Sequence, residues 1–241
     1  MDRTNFMISN PTEDKISPWA VIFDVDGTMV DNIDYHEGAW IELGRRRNLP
    51  IDHKFYIEKI HSRNNDDTVR KHFVPMVGLE KALTLSEQKE RIYRETYRPV
   101  IKEIPGLGNL LASLAELDIP CAVASNSPTD NVNMILEELG IKKFFKVILD
   151  YTQISKGKPD PEILLTAAEK LSIAPARCIV VEDSISGFRA AQRAKTPYIA
   201  ITAGAHQDEL EHATDAKAVH KDFTSVTAAK LLSYLDNHKP A

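Results

Sequence analysis

Trp19-Ala20-Val21-Ile22-Phe23 is an unbroken apolar run that ends abruptly in Asp24-Val25-Asp26-Gly27-Thr28. A short run with no polar residue on either face fits a strand covered on both sides, as in a parallel sheet, because a half-exposed strand would alternate. Four further runs repeat the pattern: Pro120-Cys121-Ala122-Val123-Ala124, Val147-Ile148-Leu149, Cys178-Ile179-Val180-Val181 and Tyr198-Ile199-Ala200-Ile201, with a weaker sixth over Ala216–Val219. Between them, Gly108–Leu117, Thr129–Leu139, Pro161–Leu171 and Ser184–Ala194 carry apolar residues at three- and four-residue spacing, the period of an amphipathic helix. Strand and helix alternate, so the core is predicted to be α/β with a parallel sheet.

The stretch from about Asp34 to Ile104 breaks the rhythm. It has no comparable strand run and is rich in Lys, Arg and Glu, with amphipathic pieces around Ala39–Leu43, Phe55–Ile60, Thr68–Val77 and Glu87–Tyr97. The predicted division is therefore an α/β core over 18–33 and 105–241 and an inserted helical domain over 34–104, preceded by a loose polar extension over 1–17. An insertion placed directly after the first strand sits over the carboxyl ends of the strands, where open α/β sheets bind ligands, and is placed to act as a lid.

Composition narrows the partners. The 241 residues exceed one ordinary compact domain, and 43% hydrophobic with 27% charged residues is a globular balance. With 30 Lys+Arg against 35 Asp+Glu the formal charge is −5, so nothing attracts nucleic acid or an anionic membrane in general, and a phosphate-bearing ligand needs a local cationic site. No stretch approaches the ~20 apolar residues that cross a bilayer. The first residues, with Pro11, Glu13, Asp14 and Pro18, do not read as a signal peptide. Cys121 and Cys178 each sit inside an apolar run as small hydrophobes, which fits a reducing cytoplasm. No motif sets an oligomeric state.

Asp24 and Asp26 stand two apart at a strand end, and period-two geometry directs both carboxylates to one side. A solvated Asp-Gly turn accounts for them equally well by themselves. The other strand ends tip the balance: Ser125-Asn126-Ser127 follows the second run, Lys158 lies in the loop after the third, and Glu182-Asp183-Ser184 follows the fourth. In a parallel sheet these ends share one edge. Four carboxylates then face a single lysine, and like charges so close take up protons unless a cation keeps them ionised. A divalent, oxygen-loving metal is implied. Mg²⁺ suits carboxylates plus a phosphate oxygen better than zinc, for which no His/Cys ligand cluster is present.

In order and spacing, Asp24-Val25-Asp26-Gly27-Thr28, Ser125, Lys158 and Glu182-Asp183 resemble the four motifs of the haloacid dehalogenase superfamily, over nearly all of the chain after residue 18. The nearest likeness is to its β-phosphoglucomutase-like phosphatase branch, a Rossmann-like core with an inserted α-helical cap. The resemblance implies that Asp24 attacks phosphorus to form an aspartyl phosphate, and that Asp26 protonates the leaving oxygen and then activates water. It implies Mg²⁺ held by Asp24, Asp183 and the Asp26 backbone carbonyl, with Glu182 supporting the acidic shell. Ser125 and the Asn126 amide region would hold phosphoryl oxygens, and Lys158 would neutralise charge between Asp24 and the phosphate.

Each residue also has a plainer reading. Ser125 could cap the helix ahead of Pro128-Thr129, a job for which Ser127 is the better candidate. Lys158 could be an exposed loop lysine, as Lys156 is expected to be. Glu182-Asp183 could favour the N-terminus of the helix near Ser184.

Tyr35-His36-Glu37-Gly38-Ala39-Trp40 resembles the family segment with a substrate-facing histidine, and Ser62-Arg63 and Lys89 fall near cap contacts of the sugar-phosphate mutases. His36 reads equally as a hydrogen-bonded helix histidine, and Arg63 and Lys89 read first as cations on a solvated helix face. Three departures bear on substrate and on mutase activity. Ile60 stands where the mutases usually have Gly, one extra residue separates Arg63 from Thr68, and Asn32 replaces a small hydroxyl residue.

The resulting expectation is a Mg²⁺-dependent phosphomonoester hydrolase acting on a small phosphorylated metabolite, with a sugar phosphate as one candidate. A sugar-phosphate mutase is the first alternative. A non-enzymatic phosphate-sensing module is the second, against which Asp26 argues, since a mere acceptor has no use for a placed acid/base. Carbon–halogen cleavage, which needs neither a leaving-group acid nor Mg²⁺, is disfavoured.

Overall fold

Six strands form a single sheet in a computed structural model that describes residues 19–61, 65–204 and 211–236, with 66–67 and 236 described by backbone alone. They are β1 (Ala20–Phe23), β2 (Cys121–Ala124), β3 (Phe145–Leu149), β4 (Cys178–Glu182), β5 (Tyr198–Ile201) and β6 (Val219–His220). The order is β3-β2-β1-β4-β5-β6 and every pairing is parallel. The weaker sixth run pairs only over Val219–His220, and β3 begins two residues ahead of Val147. The expected extension over 1–17 lies outside the described residues.

Side-chain alternation splits the core in two. Val21 and Phe23 join Val123, Val181 and Ile199 on one face, against Leu110, Leu114 and Leu231. Ala20 and Ile22 join Ala122 and Val180 on the other, against Ile163, Leu164 and Phe188. Both faces are covered by helices, which is why the strand runs contain no polar residue. The covering helices described after the insertion are α6 (Leu107–Glu116), α7 (Thr129–Glu138), α8 (Glu162–Leu171), α9 (Ile185–Ala194) and α10 (Ala228–Asp236).

β1 lies between β2 and β4, with Phe23 in register with both Val123 and Val181. The chain leaves β1 in one direction through β2 and β3 and in the other through β4 to β6, so the topology switches beside β1. Such a switch opens a crevice at the carboxyl ends of the strands. Residues just beyond β1, β2 and β4 are thereby set side by side.

The segment after β1 is helical. α1 (Ile33–Arg47) ends on Asn48, whose left-handed backbone (φ 53°) lets the cap N–H reach back to the Gly44 carbonyl. Short pieces follow: α2 (His53–Phe55) running into π-helical Tyr56–Ile60, α3 (Asn65–Thr68) into π-helical Val69–Phe73, and α4 (Val74–Val77). The long α5 (Leu79–Tyr97) then packs on α1 around Trp40 and Tyr93, starting well ahead of the expected Glu87. Val30 bridges to Glu103 and the Ile104 N–H donates to the Met29 carbonyl at 2.8 Å, so the chain leaves and re-enters the sheet layer through two adjacent segments. Among the described residues no helix is long and apolar enough to cross a membrane.

Candidate active site

Pairing with β4 continues one residue past β1, where the Asp24 N–H donates to the Val181 carbonyl at 3.0 Å. The chain then turns, with the Thr28 and Met29 N–H groups both donating to the Val25 carbonyl. Asp24 and Asp26 line one cavity, as the two-residue spacing requires, but they are presented by this turn rather than by extended strand. Gly27 makes the turn possible. Its φ is +76°, and a Cβ there would lie 2.0 Å from Asp183 Oδ2.

The strand ends do converge. Lys158 Nζ, with only 2% of the side chain exposed, donates to Asp24 Oδ1 at 2.7 Å and to Glu182 Oε1 at 2.6 Å. It is not a loop lysine in solvent. Asn126 holds it there: Asn126 Oδ1 accepts from the Lys158 N–H at 2.9 Å, and Asn126 Nδ2 donates to the Lys158 carbonyl at 3.0 Å. The Asn126 side chain thus secures the lysine loop, leaving its backbone as the part that can face a ligand. Ser125, 1% exposed, accepts the Ser127 N–H at 3.0 Å.

Glu182 turns its second oxygen to its own chain. Oε2 accepts the N–H groups of Asp183 and Ser184 at 2.9 and 3.0 Å, and Ser184 caps α9 by accepting the Gly187 N–H at 3.1 Å. Glu182 thus braces the chain leading into α9, and the cap itself is Ser184 rather than Glu182-Asp183. Gly187 is required by closeness, since a Cβ would fall within 2.3 Å of the Glu182 carboxylate.

Asp26 has different company. Oδ1 accepts from Asn32 Nδ2 at 2.5 Å and from His36 Nε2 at 3.3 Å, and Oδ2 accepts from the Ser127 hydroxyl. The expectation that Ser127 caps the next helix is incorrect. Pro128 occupies the cap position of α7, and Ser127 reaches across to Asp26. Asn32 is also bound to Tyr93 Oη at 2.6 Å and accepts the Gly27 N–H at 3.1 Å, so it stitches the turn to α5. Neither residue is singled out as a site residue by the sequence. Their chemistry shows only once α1, α5 and the β2 loop are together.

The two carboxylates titrate apart. Burial pushes Asp24 up, Lys158 pulls it down only in part, and the charges of Glu182 and Asp26 add to the rise, to about 8. Burial would raise Asp26 as well, but His36 first, then Ser127 and Asn32, override it and hold it at about 2. For Lys158 burial acts downward, and Asp24 and Glu182 outweigh it to keep the ammonium charged.

Asp24, Glu182 and Asp183 can each offer an oxygen within 4.8 Å of the others, all buried. Both Glu182 oxygens already have partners, so Asp24 and Asp183, the latter oriented by Thr28 Oγ1 at 2.8 Å, are the members of this set that could hold an ion. A buried, oxygen-only set in which Asp24 is otherwise driven to protonate fits Mg²⁺.

On the helical side, His36 stacks on Tyr93 at 3.9 Å and its Nδ1 lies 2.6 Å from Lys89 Nζ. An ammonium can only donate, so Nδ1 accepts and the ring proton sits on Nε2, facing Asp26. Lys89 is not on a solvated face. It is 2% exposed, lies 5.5 Å from the Tyr93 ring and pairs with Glu90 at 2.9 Å. Arg63 lies outside the described residues. Trp40, Tyr56, Ile60, His61, Ser86 and Glu87 complete the far wall of a cavity of about 420 Å³.

A family model described as haloacid dehalogenase-like hydrolase matches residues 21–201. A Bacillus subtilis protein named β-phosphoglucomutase is 34% identical over 183 residues, covering 73% of this chain and 79% of that one. A Thermotoga maritima phosphorylated carbohydrates phosphatase is 32% identical, over 73% of this chain and 81% of its own. Among solved structures, an Entamoeba histolytica HAD hydrolase of family IA, variant 3, superimposes with a TM-score of 0.78 at 28% identity, over 91% of this chain and 100% of that one.

Proposed function

Because the chain belongs to the haloacid dehalogenase-like hydrolase family, and so is a hydrolase or phosphotransferase enzyme, we propose that it is a Mg²⁺-dependent phosphatase that cleaves a small phosphorylated metabolite through an aspartyl phosphate on Asp24. The observation that carries this is the separation of the two carboxylates. Asp24 is gripped by Lys158 beside the acidic metal set, while Asp26 is aimed by Asn32, His36 and Ser127. Two acids in unlike surroundings are what nucleophile and proton carrier require.

An Asp24 oxygen attacks phosphorus, the bond from phosphorus to the leaving oxygen breaks, and that oxygen takes a proton from Asp26. Asp26 is ionised when no phosphate is near. The arriving dianion raises its proton affinity, so it carries a proton into this step. Lys158 offsets charge on the transferring group, and Ser125 with the Asn126 backbone faces its oxygens. Asp26 then removes a proton from water, the water oxygen bonds to phosphorus, and the bond to Asp24 breaks to release inorganic phosphate. Asp24, Asp183 and the Asp26 backbone carbonyl would hold Mg²⁺, whose charge would keep Asp24 ionised and the substrate dianion attracted. The helical segment from Ile33 to Val100 serves as the cap, and its mixed polar and apolar wall suits a phosphorylated polyol or sugar.

Excess chelator is expected to abolish phosphate release, and added Mg²⁺ to restore it. Asp183→Ala should raise the Mg²⁺ concentration for half-activity by about 10- to 100-fold. Full activity in chelator, or an unchanged titration in the variant, would move the metal role elsewhere.

The likeness to a protein named β-phosphoglucomutase keeps a mutase as the second reading. A mutase must shield phosphorylated Asp24 from water until a sugar phosphate arrives. Here Asp26 is already anchored on its turn by Asn32, where the mutases carry a small hydroxyl residue. Given β-glucose 1-phosphate with a trace of the 1,6-bisphosphate, free phosphate is expected to accumulate faster than glucose 6-phosphate, with the bisphosphate itself consumed. Near-quantitative isomerisation with little free phosphate would reverse the assignment.

A further inference from the structure

Glu90 and Asn131 take no part in the chemistry above, yet both are buried and joined. Asn131 Nδ2 on α7 donates to Glu90 Oε2 on α5 at 2.6 Å. Lys89 Nζ and Asn65 Nδ2 both donate to Glu90 Oε1, at 2.9 and 2.5 Å. Asn131 must present its nitrogen to Glu90, because its Oδ1 accepts from Arg94 Nη1 at 3.0 Å. Three donors therefore converge on Glu90. A carboxylate, which only accepts, satisfies all of them, whereas a glutamine of the same shape would set an NH₂ against other donors.

The same logic continues inward. With one N–H on Glu90, Lys89 donates another to His36 Nδ1, which leaves the His36 proton on Nε2 facing Asp26. An unbroken line of donors and acceptors runs from Arg94 through Asn131, Glu90, Lys89 and His36 to Asp26, and the orientation of each group follows from the one before it. Asn131 lies in the first turn of α7, the helix that opens directly after Ser125-Asn126-Ser127. Asn131, bonded to both Glu90 and Arg94, thus registers α5 against the loop proposed to hold the phosphoryl group.

Resting on the reading of Asp26 as proton carrier, we infer that Glu90 is a positioning residue and that the Glu90–Asn131 contact is a latch: it seats α5 on α7 and, through Lys89, holds the His36 proton on Nε2, so that Asp26 is aligned when the helical segment is seated on the sheet. Breaking the latch slows the chemical steps rather than substrate capture, because the groups proposed to bind phosphate are all on the sheet side.

The test compares the full-length wild type with Glu90→Gln, Asn131→Ala and the double variant. Asn131→Ala is the gentler change, since it leaves the Lys89–Glu90 pair intact if Glu90→Gln fails to fold. Steady-state hydrolysis of p-nitrophenyl phosphate is read as kcat and KM, and the His36 ring protons are read by long-range nitrogen–proton NMR at neutral pH. Each single variant is expected to lower kcat by about 10- to 100-fold with KM within about threefold, as for a misplacement near 1 Å. The double variant should fall no further than the worse single one, and His36 should change from Nε2–H alone to a mixture of tautomers where Lys89 loses its Glu90 anchor, in Glu90→Gln and in the double variant. Unchanged kcat in both single variants, losses that multiply in the double, kcat loss in Glu90→Gln with His36 still wholly Nε2–H, or a doubly protonated His36 in the wild type would each overturn the latch. The NMR reading needs no turnover. A wild type that hydrolyses no phosphomonoester would reject the phosphatase reading while the tautomer still decides this one.

Discussion

Asp24→Asn is expected to abolish phosphate release, with a loss of about four orders of magnitude or more, while the fold is retained. The amide keeps the shape of a side chain that is only 11% exposed, and Lys158 keeps its bond to Glu182. What disappears is the charged oxygen that attacks phosphorus. Stability should move the other way in metal-free buffer. Burial raises Asp24 from 3.8 to about 8 in the folded chain, so its contribution to stability is complete below pH 3.8 and declines as pH climbs through that window. The amide has no proton to lose. In chelator the variant should therefore melt above the wild type at pH 8 and close to it at pH 4, and Mg²⁺ should raise the wild type selectively because it binds the ionised folded form. Turnover near the wild-type rate in the variant would remove Asp24 from the chemistry. Equal melting responses to pH in the two proteins would remove the desolvation argument.

Lys158→Met should damage both stability and activity. The ammonium is fully enclosed between Asp24 and Glu182, and taking it away leaves two buried carboxylates facing each other. Breaking a buried ion pair on one side costs about 3–5 kcal/mol, because the remaining charge is neither solvated nor paired. Activity should fall by at least about 10²- to 10³-fold, the scale seen when one preorganised donor to a reacting group is removed. Adding Glu182→Gln separates the effects. It removes one of the stranded charges, so urea denaturation should show part of the stability regained, while kcat stays low because the transferring phosphoryl group still lacks its cation. Recovery of kcat together with stability would mean that Lys158 acts only as a strut. Wild-type stability of Lys158→Met would show that the pair is not buried in solution.

Much of this site is legible residue by residue along the chain. The apolar runs ending at Phe23, Ala124 and Val181 are local patterns, and parallel pairing sets their ends side by side, so Asp24, Ser125 and Glu182 can be placed together before any coordinate is known. Lys158 is placed at the same edge by the loop after the third run, and its partners in the fold are two of the four acids gathered there. The turn at Gly27 is likewise foreshadowed by Asp-Gly, although the close approach of Asp183 that makes glycine necessary comes from a loop far away in sequence.

The errors share one origin. Ser127 looks like a helix cap because it stands just ahead of Pro128-Thr129, yet its hydroxyl serves Asp26, 101 residues earlier. Lys89 looks like a solvated charge on a polar helix, yet it and the neighbouring Glu90 are buried, because Asn65, Asn131 and His36 supply the hydrogen bonds that water would otherwise make. Asn32 stands out along the chain only as a departure from the mutase pattern, and in the fold it holds Asp26, Tyr93 and Gly27 together. Apolar periodicity is written locally, since burying a strand or a helix face requires only that its own residues recur at the right spacing, and so the sequence by itself determined the sheet, its helices and the edge where the acids gather. Whether a charge can be buried depends on which donors and acceptors meet it from other elements, and only the tertiary structure decided that Lys89, Glu90, Asn131 and Ser127 belong to the network around Asp26.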